Sequence, residues 1–150
     1  MKKILIISVI LLVTVSSIFA QNMNRQRIKL LKTAFITEAI NLTPSEAEKF
    51  WPVYNLYSEK IQELNFKLEG GMLQDIQLAG GIENLSEVKA QKIIGQSLIY
   101  EKEISDIKIK MTKELSKIIS AVQIVKLQKS ERDFKRRILQ EYGRRRKGQQ

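Results

Sequence analysis

The chain contains no histidine and no cysteine in its 150 residues. Histidine is the commonest general base in enzymes and cysteine is the strongest side-chain nucleophile, so neither is available for catalysis. The lack of cysteine also excludes disulfide bonds and lipid attachment through an N-terminal cysteine. Neighbouring carboxylates such as Glu46 and Glu48 are two residues apart on a predicted helix and point to different faces. The sequence therefore predicts a protein that is not an enzyme.

Ligands for transition metals are equally scarce. Without histidine or cysteine, a site would depend on Met23, Met72, Met111 and carboxylates, which is a poor match to the usual ligand sets. Met111 is better interpreted as a core residue and Met72 as part of a connection. We expect no metal site and no cofactor.

The first twenty residues are poor in charge, with only Lys2 and Lys3 before a long apolar stretch that ends in small residues. This layout is typical of a secretory signal peptide, with cleavage after Ala20. The alternative is an uncleaved membrane anchor, since about 20 apolar residues can span a bilayer. The signal peptide predicts an exported protein.

Positive charge exceeds negative charge in the chain that follows. Without Lys2 and Lys3, the chain has 24 basic and 16 acidic residues. The resulting formal charge of +8 favours acidic partners or surfaces. Much of the excess lies in residues 143–150, GRRRKGQQ, which we predict to be a disordered basic tail able to contact a membrane. Because exported proteins rarely meet nucleic acid, we expect no nucleic-acid partner.

No segment alternates apolar and polar residues with period two, whereas four segments show helical periodicity. The predicted helices lie between residues 25 and 39, over 44–69 with an end at Gly70-Gly71, over 87–118, and after Ser120. Apolar residues of the second helix follow a heptad pattern typical of a helix packed on another helix: Ala47, Phe50, Tyr54, Tyr57, Ile61, Leu64 and Leu68. The sequence predicts an all-α, four-helix domain over residues 21–142.

Three helix starts share an aliphatic residue followed by a hydroxyl residue: Leu42-Thr43, Leu85-Ser86 and Ile119-Ser120. The hydroxyl can accept a hydrogen bond from a free N–H of the first turn. Glu46 and Gln123, three residues after Thr43 and Ser120, complete two capping boxes. Pro44 suits the first helical position, where its missing N–H would have no partner.

Pro52 falls inside the helix that begins at Pro44. It removes one backbone hydrogen bond and crowds the carbonyl of Glu48, at a cost of about 3 kcal/mol. The heptad pattern keeps its phase through this position, which predicts a bend in a continuous helix. The alternative is that the second helix starts after Pro52, with residues 44–51 forming a separate turn.

The predicted lengths indicate an elongated domain. Residues 44–69 and 87–118 would form helices about 39 Å and 48 Å long. A compact protein of this size has a diameter of roughly 36 Å. We expect a curved helical hairpin whose exposed apolar surface is covered by a second subunit or a client protein.

The strings LTPSEAEKFWPVYNLY and VKLQKSERDFKRRIL resemble the Spy/CpxP-like periplasmic proteins, in particular the Bacteroidetes-type branch described as sensor of ECF-type sigma factor. The segments from Leu42 to Glu46 and from Ile119 to Gln123 look like the two LTxxQ-type motifs of that family. Glu46 replaces the Gln of the first motif, and Ile119 and Ser120 replace Leu and Thr in the second. The resemblance extends from about Arg25 to Leu139.

The resemblance implies a curved helical hairpin that forms a homodimer. It further implies an envelope-stress protein that binds unfolded envelope proteins without ATP or docks on a membrane signalling protein. Some branches of the family bind metal, so a metal-resistance or metal-sensing protein is the alternative. The motif positions carried over are Leu42, Thr43, Pro44 and Glu46, together with Ile119, Ser120 and Gln123.

Further candidate residues are either partner-binding or core. Phe50, Tyr54 and Tyr57 hold the heptad phase and favour the core, whereas Trp51 lies one step off it. Glu131 interrupts the apolar stripe before Phe134 in the fourth helix. It can pair with a basic residue of another helix and set register, or form a surface pair with Lys135.

Overall fold

The computed structural model describes residues 26–147, and all secondary structure in this range is helical. The helices, in chain order, are α1 over residues 26–40, α2 over Pro44–Leu78, a 3-10 turn over Ile82–Asn84, α3 over Glu87–Leu115 and α4 over Ala121–Lys147. No strand occurs within this range, which confirms the predicted all-α fold. The predicted signal peptide, residues 1–20, lies outside the described residues.

The chain divides into two compact units. One unit combines α1 with α4 from Val125 onward, and the other is Leu42–Ile124. In the second unit α2 and α3 pack against each other and are joined by a short connection, forming a helical hairpin. The predicted curvature and dimerisation stay predictions.

The heptad pattern predicted from α2 coincides with its inner face. Phe50, Tyr54 and Leu64 are buried, and the other residues of the pattern are half-buried. The buried residues of the hairpin unit are Phe50, Tyr54, Leu64, Ile104, Met111, Leu115, Ile119 and Ile124. The helical repeat of 3.6 residues places them along one side of each helix.

The unit formed by α1 and α4 has its own buried residues. Ile36 and Ile40 of α1 are fully buried, and Leu127 and Phe134 of α4 are more than nine-tenths buried. The ring of Phe134 lies 5.8 Å from that of Phe35, centroid to centroid. The apolar stripe predicted for the fourth helix is therefore a packing surface.

Helix α2 continues through Gly70 and Gly71, so its predicted end was wrong. Glycine in a helix interior costs about 1 kcal/mol relative to alanine, which weakens a long helix without ending it. The helix ends at the second glycine pair, where φ is 81° at Gly80 and 110° at Gly81. The Gly81 N–H donates to the Ile76 carbonyl at 3.0 Å, and a second bond from Gly80 completes a Schellman arrangement.

Pro52 lies in the interior of α2, which begins at Pro44. The alternative in which the second helix starts after Pro52 is therefore wrong. The ring of Pro52 is exposed, so the missing N–H and the crowding of the preceding turn fall on the outer side of the helix.

The other helix boundaries differ from the predictions by a few residues. Helix α3 ends at Leu115 rather than at residue 118, because the N–H groups of Lys117 and Ile118 bond in tight turns to Glu114 and Leu115. Helix α4 runs to Lys147, so residues 143–147 are helical although the sequence predicted a disordered tail from 143. Strong helix formers such as arginine and lysine outweigh the single glycine at the start of that segment.

Candidate functional site

The first motif is a complete capping box at the start of α2. The Glu46 carboxylate accepts hydrogen bonds from the Thr43 N–H and the Thr43 hydroxyl, both at 2.9 Å. The Glu46 N–H in turn donates to Thr43 Oγ1 at 3.3 Å. Pro44 occupies the first turn and needs no partner for its nitrogen. These bonds satisfy free N–H groups at the helix start.

The second motif repeats this arrangement at the start of α4. Gln123 Oε1 accepts hydrogen bonds from the Ser120 N–H at 2.8 Å and from the Ser120 hydroxyl at 2.9 Å. The Gln123 N–H donates to Ser120 Oγ at 3.2 Å. An amide oxygen therefore takes the place that a carboxylate oxygen holds in the first box.

The two boxes are joined to each other. Gln123 Nε2 lies 3.5 Å from Glu46 Oε2, although the residues are 77 positions apart in the chain. Both side chains are half-buried. We call Thr43, Glu46, Ser120 and Gln123 the paired caps. They link the start of α2 to the start of α4 within the hairpin unit.

The carboxylate of the paired caps is held in its charged form. Hydrogen bonds from the Thr43 N–H and hydroxyl lower the pKa of Glu46, with a smaller contribution from Gln123, and they outweigh the opposing effect of desolvation. A negative charge at a helix N-terminus is also favoured by the helix dipole. The geometry is that of a structural junction between two helix starts.

Acidification is expected to remove the stabilising effect of the Glu46 carboxylate. Its folded pKa is lowered, so the stabilisation is present above the unfolded pKa of about 4.3 and is lost as pH falls through the folded value. Glu46→Gln keeps an acceptor oxygen, as Gln123 shows, but does not titrate. We expect the stability difference between wild type and Glu46→Gln to be constant well above the unfolded pKa of about 4.3 and to decrease as the pH falls below it, measured by urea unfolding.

Ser45→Ala is the control for this experiment. Ser45 is exposed in the same turn and does not titrate, so the difference between wild type and this variant should not change with pH. A difference for Glu46→Gln that is equally constant would contradict a stabilising role of the charged carboxylate.

The other motif residues lie at the same two helix starts. Ile119 is buried and Leu42 is half-buried, while Thr43, Pro44 and Ser120 are exposed. Leu42 and Ile119 therefore face the interior, whereas the capping residues that follow them, Thr43 and Ser120, face solvent. This is the usual arrangement at such helix starts.

The aromatic residues after the first motif form one cluster on α2. Phe50 and Tyr54 are stacked with centroids 5.3 Å apart, and both are buried. The half-buried Trp51 packs edge-on against Phe50 at 5.0 Å and against Tyr54 at 5.5 Å. Tyr57 is half-buried, with Lys60 Nζ 5.9 Å from its ring centroid. Phe50 and Tyr54 are core residues and do not present a surface to a partner.

Glu131 pairs with a basic residue of another helix, one of the two arrangements that the sequence left open. Its Oε1 lies 3.9 Å from Nζ of Lys32 on α1, and both side chains are about one-third exposed. Burial lowers the pKa of Lys32, and Glu131 acts in the opposite direction. Phe134, three residues on, is buried against Phe35. These residues join α1 to α4 and are not a separate binding site.

Large apolar side chains remain exposed on the two helices of the hairpin. The most exposed of those on α2 is Phe66, at 76%. We call five of these residues the exposed apolar set: Phe66, Leu73, Ile94, Leu98 and Ile109. Each is more than half exposed.

Sequence reasoning missed Phe66 and Leu73 as surface residues. Phe66 follows the buried Leu64 by two residues, which is about 200° around an α-helix, and Leu73 lies seven residues further on the same side. If the heptad pattern of the second helix is extended along the whole of α2, both residues fall on the side opposite to its apolar stripe.

The described residues contain no group of three or more acidic side chains placed to hold a metal ion. None of the helices within residues 26–147 has the length and apolar character needed to cross a membrane. Comparison of the chain with protein-family models, curated proteins and solved structures gives no match.

Proposed function

We propose that this protein is an exported, ATP-independent binding protein of the Spy/CpxP type, which holds partly unfolded envelope proteins on the surface of its α2–α3 hairpin. The observation that carries the proposal is the exposed apolar set. Leu98 and Ile94 are about 60% exposed, and Phe66 more so. Burying such side chains against a client contributes roughly 1.5–3 kcal/mol each.

The paired caps support the same proposal. The resemblance to the Spy/CpxP-like family was based on two short motifs far apart in sequence, and these motifs meet through Glu46 and Gln123. The hydrogen bond between them joins the starts of α2 and α4, and none of the exposed apolar set takes part in it. A homodimer is part of the proposal, since further apolar surface on the hairpin could be covered by a second copy.

Two alternative functions predict different experimental results. A regulator that docks on one membrane signalling protein, linked to an ECF sigma factor, would bind that protein without preventing general aggregation. A metal-resistance protein would bind a metal ion directly, and the described residues offer no donor cluster that favours it.

The test is suppression of aggregation of a chemically unfolded client in the absence of nucleotide. The full chain is expressed with its N-terminal segment, so that the host can process it, and its solution mass is measured by sedimentation equilibrium. We expect a dimer that suppresses aggregation. Phe66→Gln with Leu98→Gln should weaken client binding about a hundredfold, because two apolar contacts are lost.

Leu30→Gln with Leu139→Gln is the matched control. These leucines are 71% and 62% exposed but lie outside the hairpin unit. The control pair should leave client binding unchanged. A wild-type monomer that does not suppress aggregation would overturn the chaperone proposal and favour the regulator. An equal loss in both variant pairs would show that general surface hydrophobicity, not the hairpin, is responsible.

A further inference from the structure

Positive charge is concentrated in one part of the molecule. The hairpin unit Leu42–Ile124 has ten lysines and no arginine against twelve acidic residues. Residues 125–147 of α4 have ten lysines and arginines against three acidic residues. The net charge of the whole chain therefore reflects mainly this helix, and the surface proposed to hold clients is nearly neutral.

The burial of α4 defines which of its sides faces outward. Leu127, Ser130 and Phe134 are buried and recur at steps of three and four along the inner side. The side opposite to them follows from the 100° step between residues of an α-helix. The residues along that outer side are Val125, Lys129, Arg132, Arg136 and Leu139, all exposed.

The acidic residues of this part of α4 neutralise only part of its outer charge. Glu131 turns toward Lys32 of α1. Asp133 lies at the side and binds Lys129 at 2.6 Å and Arg136 at 2.9 Å. Arg132 on this side and Lys135 at its edge are exposed, and neither lies within 4.0 Å of a carboxylate oxygen of the described residues.

Cationic and apolar groups come together on this outer side. A shallow depression of the α4 surface is lined by Arg132, Lys135, Arg136, Leu139 and Gln140. Val125 and Leu139 are 65% and 62% exposed and lie about 21 Å apart along the helix axis, with the cations between them. A helix with a basic face can lie in a membrane interface, with apolar side chains inserted and long cationic side chains reaching the phosphates.

We propose that the outer side of α4 binds the surface of a bilayer that contains anionic phospholipids. Charge complementarity supplies the attraction, since clusters of four or more Lys and Arg residues on a helix bind anionic lipid headgroups. Val125 and Leu139 favour this partner over a nucleic acid, because a phosphate backbone provides no place to bury them.

The test is co-sedimentation of the full chain with vesicles of phosphatidylglycerol and phosphatidylcholine, compared with vesicles of phosphatidylcholine alone. We expect binding to the anionic vesicles that falls as salt is raised, and little binding to the neutral ones. Each Lys or Arg near an anionic surface contributes roughly a factor of five to partitioning. Arg132→Gln with Lys135→Gln should therefore weaken binding about 25-fold.

The matched control is Lys89→Gln with Lys92→Gln on α3. These exposed lysines have the same spacing of three residues, and their replacement removes the same charge. The control should leave vesicle binding unchanged, and circular dichroism should show the same helicity in all variants. Leu139→Gln should also weaken binding, which charge alone would not explain.

Three results would overturn the proposal. One is equal weakening by both double variants, which would mean that only net charge matters. Another is equal binding of wild type to neutral and anionic vesicles. The third is that Arg132→Gln with Lys135→Gln weakens binding to polyglutamate or duplex DNA but not to vesicles, which would identify a polyanion as the partner.

Discussion

Replacing Phe50 with alanine is expected to lower the free energy of unfolding by about 3–5 kcal/mol. Phe50 is fully buried and lies at the centre of the aromatic cluster, stacked on Tyr54 and in edge contact with Trp51. Its removal loses both the transfer of the ring from water and the packing of its neighbours around it. Urea unfolding followed by circular dichroism and by Trp51 fluorescence measures the change.

Phe66→Ala is the matched control, since it makes the same substitution on the same helix. Phe66 is 76% exposed, so the change should lie within about 0.5 kcal/mol. Similar losses in both variants would contradict the placement of Phe50 in the core and Phe66 at the surface. The pair also separates stability from function, because Phe66 is proposed to contact clients and Phe50 is not.

Replacing Pro52 with alanine is expected to raise the free energy of unfolding by about 2 kcal/mol. Proline in a helix interior costs about 3 kcal/mol through the missing N–H and the clash with the preceding turn. Alanine restores the bond to the Glu48 carbonyl, but it also frees the unfolded chain, which offsets up to about 1 kcal/mol. The exposed position of Pro52 leaves room for the change. Urea unfolding measures it.

Gln62→Ala is the control for a general effect of alanine on α2. Gln62 is exposed in the same helix, so its replacement should change stability by no more than about 0.5 kcal/mol. A Pro52→Ala variant that is less stable than wild type would show that α2 depends on its proline. Small-angle scattering of the same variant tests the predicted bend, since removal of its cause should straighten the helix.

Helix starts were predictable because their signals are local. The hydroxyl of Thr43 or Ser120 and the side chain three residues later act within a single turn, so neighbouring residues suffice to identify the cap. The buried side of α2 was predictable for a similar reason, since apolar periodicity reports which side of a helix leaves water.

The end of α2 was not predictable from composition. Gly70-Gly71 and Gly80-Gly81 are the same dipeptide, and only the second adopts positive φ. What distinguishes them is the backbone turn that leads into the connection to α3, where the Schellman bonds form. Glycine permits a left-handed turn without requiring one.

The sequence by itself determined that this protein is helical, where its helices start and which side of α2 is buried, because these properties follow from interactions within a few residues. Only the tertiary structure decided that Glu46 meets Gln123 and that Glu131 pairs with Lys32. The partners are far apart in the chain, and their side chains meet only where packing brings the helices together. The packing of Phe134 against Phe35 of α1 also decides which side of α4 stays in solvent, and it leaves Arg132 and Arg136 exposed.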